Sequence, residues 1–238
     1  MIPPRRFVFS SALIALALTF SGPALADDAP IDLHAATAKH AKPVKDAPPV
    51  DAAPALSPAE VVAKANQYLD EARVLSADFV QIGPDGTRSE GELSIARPGK
   101  MLFKYHPPHK LEIVADGRTV AVRDQKLGTQ DLYFIGQTPL KFLLADHIDL
   151  AKDTKVKRVE MDDKAATIEI EDKATFGGTA EITLVFDPSS FALKQWTVLD
   201  PQGFQTVVTL FDIDLVTKPD PAIFHIDDAT SPNTGAKR

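Results

Sequence analysis

The chain has 238 residues, a formal charge of −7 and no cysteine. Without cysteine it has no disulfides, no thiolate metal site and no thiol to which a lipid can be attached. A net negative charge disfavours long-range attraction to nucleic acid or to anionic headgroups. The length suits one large domain or two small ones. We therefore expect neither a nucleic-acid-binding protein nor a disulfide scaffold.

The N-terminus has the pattern of a secretory signal peptide. Arg5 and Arg6 precede an apolar stretch over 7–20, and Ala24-Leu25-Ala26 is an A-x-A cleavage signal. The apolar stretch is too short to span a bilayer comfortably, so an uncleaved membrane anchor is the less favoured alternative. We predict that 1–26 is removed and that the mature protein occupies the export compartment, the periplasm of a bacterial cell.

The residues after the signal peptide are rich in Ala, Pro, Lys and Asp. Short apolar side chains and repeated prolines bury too little surface to offset the entropy of ordering the chain. We predict a disordered spacer over 27–56, an ordered domain over 57–228 and a flexible tail over 229–238.

The ordered domain is predicted to begin with a helix. Ser57-Pro58-Ala59-Glu60 is a capping box with proline at the first helical position. Apolar residues then recur at helical spacing, and Val61, Ala65 and Leu69 belong to this stripe. The pattern indicates one amphipathic helix over roughly 58–73.

After this helix the apolar period changes to two, which predicts β-strands. Six short segments follow one another over 76–136, separated by turn signals such as Pro98-Gly99, and five more follow over 155–215. Between the two runs, Thr138 and Pro139 predict the start of a short helix over 138–148, with an apolar stripe that includes Leu140, Leu143 and Leu144. A sheet of about ten or eleven strands must curl or close on itself, and so few helices cannot cover its apolar face as a thick layer.

The sequence contains no G-x-S-x-G turn, no P-loop, no dinucleotide-binding fingerprint and no H-E-x-x-H motif. His106 and His109 have H-x-x-H spacing, but the two prolines between them forbid a helix and no third ligand lies nearby. The isolated His147 and His225 are expected to be solvated. We predict no enzyme, no metal and no cofactor.

The most abundant feature is large apolar side chains on alternate strand positions. Most of them must form core, since small barrels usually fill their interiors with side chains. The residues alone leave a ligand cavity open as the alternative. The candidates for its wall are Leu93, Ile95, Met101, Phe103, Tyr105, Leu111, Ile113, Val120, Val122, Leu132, Phe134, Ile182, Leu184 and Trp196.

Taken in order, these segments resemble the LolA family of periplasmic lipoprotein carriers. The segments "ADFVQ", "GELSIARPGKMLFKY", "LEIVADGRTVAV", "TPLKFLLA" and "IFHID" follow the family's order over about 57–228. The resemblance implies an α+β, mainly β fold: a curved, incompletely closed antiparallel half-barrel of 10–11 strands, with the helices over 58–73 and 138–148 as a lid on an apolar cavity. It further implies that Arg97 hydrogen-bonds to the lid and holds it shut, and that Phe103 and Tyr105 line the cavity.

The resemblance also implies a function. The protein would bind acylated lipoproteins released by an inner-membrane ABC transporter and deliver them to an outer-membrane acceptor, and we expect it to be a monomer without a cofactor. Two alternatives stay open: a lipid- or lipoprotein-sensing regulatory module of the same fold, and an enzyme acting on envelope lipid. The chain ends at Arg238 without an added domain, which disfavours the sensor, and the lack of a nucleophile constellation disfavours the enzyme.

Overall fold

The computed structural model describes residues 56–139, 141–175 and 177–226. The predicted signal peptide, the spacer up to residue 55, Leu140 and the residues from 227 onward lie outside the described residues. Among the helices of the described ranges, none is long and apolar enough to span a membrane.

Within the described ranges, eleven antiparallel strands form one sheet. The first run is β1 (Val74–Ile82), β2 (Arg88–Ala96), β3 (Lys100–Tyr105), β4 (Leu111–Asp116), β5 (Thr119–Asp124) and β6 (Thr129–Phe134). The second run is β7 (Lys155–Met161), β8 (Ala166–Thr175), β9 (Gly178–Phe186), β10 (Leu193–Leu199) and β11 (Gln205–Asp214). Neighbours in sequence pair within each run, and β1 pairs with β11 to join the runs, which leaves β6 and β7 as the two edges. The predicted open antiparallel sheet with few helices is therefore confirmed.

Helix α1 (Pro58–Glu71) begins at the predicted capping box. The Ser57 hydroxyl accepts from the Glu60 backbone N–H at 3.4 Å, and the Glu60 carboxylate accepts from the Ser57 backbone N–H at 2.8 Å. These two bonds satisfy donors that a helix N-terminus leaves unpaired. The apolar stripe of α1 is buried against the sheet.

The segment between β6 and β7 differs from the prediction of one helix over 138–148. It contains a 3₁₀ turn (Ile135–Gln137), helix α2 (Lys141–Leu144) and helix α3 (Leu150–Asp153). The Thr138 hydroxyl donates to the Ile135 carbonyl at 2.8 Å, at the end of the 3₁₀ turn. Asp149 caps α3 by accepting from the Lys152 N–H at 3.2 Å. The segment links opposite edges of the sheet, so it must cross one face of it.

That face, which we call the inner face, carries the core. The register aligns Leu93, Phe103, Ile113 and Val122 on four neighbouring strands, so their side chains share one side of the sheet. Buried apolar residues of α1 and of the crossing segment belong to the same cluster as the inner-face residues. The opposite, outer face is covered locally by a 3₁₀ turn (Pro221–Phe224) that packs on β3 and β4.

Candidate functional site

An aromatic cluster forms the centre of the inner face. The Phe79 ring contacts the Phe103 and Tyr105 rings edge-to-face, with centroids 5.0 and 5.1 Å apart, and the Phe103 and Trp196 centroids are 6.2 Å apart. The Tyr105 hydroxyl donates to the Gln81 side-chain oxygen at 2.8 Å, and burial raises the pKa of Tyr105. All four rings are nearly inaccessible to solvent. The cluster therefore presents a large, apolar and geometrically ordered wall.

Gly91 makes this packing possible. It lies between Phe79 on β1 and Tyr105 on β3 in the register. A Cβ atom at this position would lie 2.8 Å from the Phe79 ring and 2.2 Å from the Lys104 carbonyl oxygen. Gly91 is absent from the predicted site residues, although a glycine inside a strand is a signal of close approach.

The structure brings most of the predicted wall and lid residues together. The wall residues that are buried in the core cluster are Leu93, Ile95, Met101, Phe103, Tyr105, Val120, Ile182, Leu184 and Trp196. Half-buried wall residues are Leu111, Ile113 and Val122. The lid residues Val61, Ala65, Leu69, Leu143 and Leu144 are buried in the same cluster, whereas Leu140 lies outside the described residues.

Leu132 and Phe134 are not part of this wall, and their placement is a correction. The register pairs Val120 with Tyr133 and Val122 with Asp131, so Leu132 and Phe134 lie on the outer face of β6. They are 51% and 70% exposed. Three successive large residues at 132–134 made the alternation ambiguous, and shifting a strand by one residue exchanges its two faces.

The turn after β2 connects the sheet to helices α1 and α2. The Arg97 guanidinium donates from Nε and Nη2 to the Ala72 carbonyl, at 3.1 and 2.6 Å, and Ala72 is the C-cap of α1. The Gly99 N–H donates to the carbonyl of Leu144, the last residue of α2, at 2.8 Å. Helix C-terminal carbonyls lack intrahelical partners and favour a cation, so this turn satisfies the ends of two helices.

The surroundings of Arg97 lower its pKa, and burial is the largest cause. Burial lowers the pKa of Arg97, as does the nearby Arg73 charge, while Asp70 and Asp146 oppose this effect. A guanidinium stays charged in proteins even so. Arg97 is therefore a half-buried cation whose charge is compensated in part by neighbouring acids and by a helix C-terminus.

A small cavity of about 20 Å³ adjoins Arg97 between the helices and the inner face. It is lined mainly by apolar residues of α1, α2 and four strands, together with Arg97 and Tyr68. The Tyr68 hydroxyl and Arg97 Nη1 are buried and have no hydrogen-bond partner of normal geometry among the described residues. Burial raises the pKa of Tyr68, against smaller opposing effects of the Leu193 backbone and the Arg97 charge, so the hydroxyl keeps its proton.

Further polar contacts hold the crossing segment. Lys141 of α2 donates to the Asp172 carboxylate of β8 at 2.9 Å. On α1, Asp70 accepts from the Ile148 N–H at 2.7 Å, and Asn66 accepts from the Leu150 N–H at 3.1 Å. Sequence reasoning missed these contacts. The signal available was the recurrence of Asn66 and Asp70 at helical spacing beside the apolar stripe.

The histidines have a different arrangement from the one expected. His147 is exposed, but its Nδ1 lies 2.5 Å from the Asp70 carboxylate, so it is paired rather than simply solvated. His106 is also exposed, and its Nε2 lies 3.7 Å from a Glu92 oxygen. Across the described ranges, no three His, Cys, Asp or Glu residues are grouped so as to hold a metal ion.

The fold and the site together define a class of protein: an open antiparallel sheet whose apolar inner face is covered by short helices attached through a few polar contacts. A family model described as "Outer membrane lipoprotein carrier protein LolA" matches residues 70–227, well over half of the chain, and the chain belongs to this family.

Individual relatives are distant. A protein named outer-membrane lipoprotein carrier protein from Chromobacterium violaceum is 43% identical over 72 residues, which is 29% of this chain and 35% of that protein. This chain therefore aligns with about a third of that relative's length. A protein of the same name from Dechloromonas aromatica is 26% identical over 165 residues, 66% of this chain and 78% of that protein.

Among solved structures, a LolA superfamily protein from Nitrosomonas europaea matches with 14% identity and a TM-score of 0.42, covering 73% of this chain and 99% of that one. The Pseudomonas aeruginosa MucA/MucB complex matches with 10% identity and a TM-score of 0.40, covering 70% of this chain and 61% of that one.

Proposed function

We propose that this chain is a periplasmic chaperone for lipoproteins. It binds the acyl chains of lipoproteins released by an inner-membrane ABC transporter, between the inner face and helices α1 and α2, and passes them to an outer-membrane acceptor. It acts as a monomer, without a cofactor and without catalysis. The observation that carries the proposal is the aromatic, apolar inner face beneath two helices whose C-terminal ends both hydrogen-bond to one turn. Membership of the carrier family supports the choice of cargo.

Acyl chains give the energy for capture. Burial of apolar surface is worth about 0.8 kcal/mol per methylene, so one long chain contributes on the order of 10 kcal/mol. Binding of this strength is ample to keep an acylated cargo bound while it is carried through water, but it makes release of the cargo difficult. A carrier therefore needs a closed state that competes with the cargo, and the buried lid residues Leu69, Leu143 and Leu144 fill the space that an acyl chain would take.

Arg97 is proposed as the latch of this closed state. Its two bonds to the Ala72 carbonyl are charge-assisted, and a bond to a charged group contributes about 1.5–3 kcal/mol. The partial negative charge at the C-terminus of α1 adds a few tenths to about 1 kcal/mol. These magnitudes bias the lid toward closure without preventing it from opening.

The test uses the mature protein in two steps. Inner membranes containing lipoprotein and its transporter receive ATP and the protein, and soluble acylated lipoprotein that co-elutes with the protein is measured. The complex is then mixed with outer membranes, and the rate of transfer is measured. We expect capture by the parent and by Arg97→Leu, but slower transfer from Arg97→Leu, because a weaker closed state competes less well with the cargo.

The matched control is Arg88→Leu, which removes the same side chain from the other end of β2, where Arg88 pairs with Glu90 and is 59% exposed. It should behave like the parent. If no acylated protein becomes soluble with the parent, the carrier function is wrong. If Arg97→Leu and Arg88→Leu transfer cargo at the parent's rate, the latch role is wrong while the carrier function stands.

A further inference from the structure

We propose that Tyr68 and Arg97 form a polar subsite that binds the ester carbonyl oxygen at which a fatty acyl chain joins glycerol. The Tyr68 hydroxyl and Arg97 Nη1 are the two donors. The inference rests on the proposed acyl-chain carrier function and adds a specific recognition element to it: the protein would distinguish an ester-linked chain from an equally long chain without a carbonyl.

The first step is that two donors are buried without acceptors. Arg97 uses Nε and Nη2 on the Ala72 carbonyl, which leaves Nη1 available. The Tyr68 hydroxyl, one helical turn before Ala72, is likewise buried. The Leu193 backbone lies near its oxygen and lowers its pKa, but no acceptor for its proton meets hydrogen-bond geometry among the described residues. Buried polar groups in folded proteins are nearly always hydrogen-bonded, so two exceptions on residues that line one cavity require an explanation.

The second step is the kind of ligand that fits. Guanidinium groups only donate, and the raised pKa keeps Tyr68 protonated, so both groups call for an acceptor. The rest of the lining is apolar, including Leu93, Leu143 and Trp196. A ligand atom bound here is therefore an acceptor attached to aliphatic carbon. An ester carbonyl has this chemistry, since its oxygen accepts two hydrogen bonds and donates none.

The third step concerns charge. Asp70 and Asp146 oppose the larger effects of burial and of the Arg73 charge on Arg97, and the C-terminus of α1 faces it. The choice of a neutral ester over a fatty-acid carboxylate follows from the apolar lining, because burying a charged carboxylate there costs more than burying a neutral carbonyl. The cavity of about 20 Å³ has room for a single small polar atom in this closed arrangement. The chains themselves require the volume that Leu69 and Leu143 now fill.

The structure also separates this role from the latch. Tyr68→Phe removes one hydroxyl, keeps the ring that packs beside the cavity and leaves the Arg97–Ala72 contacts in place. The matched control is Tyr133→Phe, the same change on the edge strand β6, outside the cavity lining. The chain's single tryptophan, Trp196, lines the cavity and reports binding through its fluorescence.

The experiment titrates the mature parent, Tyr68→Phe and Tyr133→Phe with three monomeric probes of equal chain length: dioctanoylglycerol, its dioctyl-ether analogue and octanoate. We expect the parent to bind the ester more tightly than the ether. Tyr68→Phe should weaken ester binding roughly three- to tenfold, as for the loss of one hydrogen bond, and leave ether binding unchanged. Tyr133→Phe should match the parent with every probe. In the infrared spectrum, carbonyl-labelled ester bound to the parent should absorb at lower frequency than the same ester bound to Tyr68→Phe.

Other outcomes overturn the inference in distinguishable ways. Equal affinities of the parent for ester and ether, or equal losses of both in Tyr68→Phe, would mean that the donors serve the packing of the protein or a bound water. Octanoate binding that exceeds ester binding and depends on Tyr68 would assign the subsite to a carboxylate instead. If the parent binds none of the probes, acyl-chain binding itself fails, and the proposed function falls with the subsite.

Discussion

The ion pair between Lys141 and Asp172 provides a quantitative test of how the crossing segment is held to the sheet. The Lys141 ammonium lies 2.9 Å from the Asp172 carboxylate, and their side chains are 24% and 4% exposed. The pair joins α2, part of the proposed lid, to β8 near an edge of the sheet. We predict that Lys141→Met destabilises the protein more than Asp172→Asn does.

The magnitude follows from the unequal burial of the partners. Removing one member of a fully buried pair costs about 3–5 kcal/mol, whereas an exposed pair is worth at most about 1 kcal/mol. Lys141→Met leaves a buried carboxylate without its ammonium, and the partial exposure of this site places the cost at about 2–3 kcal/mol. In Asp172→Asn, the lysine can extend toward water, so we expect a cost of about 1 kcal/mol.

The assay is urea unfolding of the mature protein followed by the fluorescence of Trp196. The control is Lys157→Met, which breaks an ion pair with Glu171, a neighbour of Asp172 on β8. Lys157 is 43% exposed, and Lys155 remains 3.6 Å from the same Glu171 carboxylate. We expect the control to cost less than about 1 kcal/mol.

A double variant completes the thermodynamic cycle. Lys141→Met combined with Asp172→Asn should be less destabilised than the sum of the two single variants, because the second change removes the buried charge that Lys141 had balanced. The reasoning would be refuted by a cost for Lys141→Met no larger than that for Lys157→Met, or by additive single effects. Either result would mean that the pair is too well hydrated to hold α2.

Two further predictions concern the aromatic wall. Gly91→Ala should destabilise the protein by at least about 1–3 kcal/mol in urea unfolding, because the added methyl group would lie 2.2 Å from the Lys104 carbonyl oxygen and 2.8 Å from the Phe79 ring. Gly136→Ala, with no atom within 4 Å of its Cβ position, should change stability little. Equal costs would contradict the close approach. Burial raises the pKa of Tyr105, so its hydroxyl ionises at lower pH in the unfolded chain than in the folded one. The free energy of unfolding should therefore fall as the pH rises above about 10. Tyr105→Phe should make this fall less steep, and an unchanged slope would count against the burial of the hydroxyl.

The local elements of the fold were predictable from the sequence. The capping box at Ser57 and Glu60 fixes the start of α1 through bonds between residues close in sequence. The alternation of apolar residues and the Pro98-Gly99 turn signal placed the strands of both runs, because strand periodicity and turn chemistry are local properties. Most of the wall residues followed from the same alternation.

The long-range pairings were not predictable. Nothing in the sequence of β1 or of β11 specifies that these two strands pair. Their pairing makes β6 and β7 the edges of the sheet. Because β6 and β7 are the edges, the segment that connects them must cross the inner face. There it forms two short helices and hydrogen-bonds to α1, in place of the single helix that was predicted. The face occupied by Leu132 and the contacts of Asp70 likewise depend on register and tertiary position.

The polar contacts of the helices follow from the competition that the proposed function requires. Burial of apolar surface is non-directional and scales with area, so an acyl chain in the interior can replace the burial of Leu69, Leu143 and Leu144 methylene for methylene. An acyl chain cannot replace a bond between a guanidinium and a carbonyl, or an ion pair. The free-energy difference between the closed and the loaded state is then set largely by a few contacts, those of Arg97, Gly99 and Lys141. Each of these contacts is worth a few kcal/mol at most. That is small enough for the cargo to break the contact and large enough for the contact to help expel the cargo.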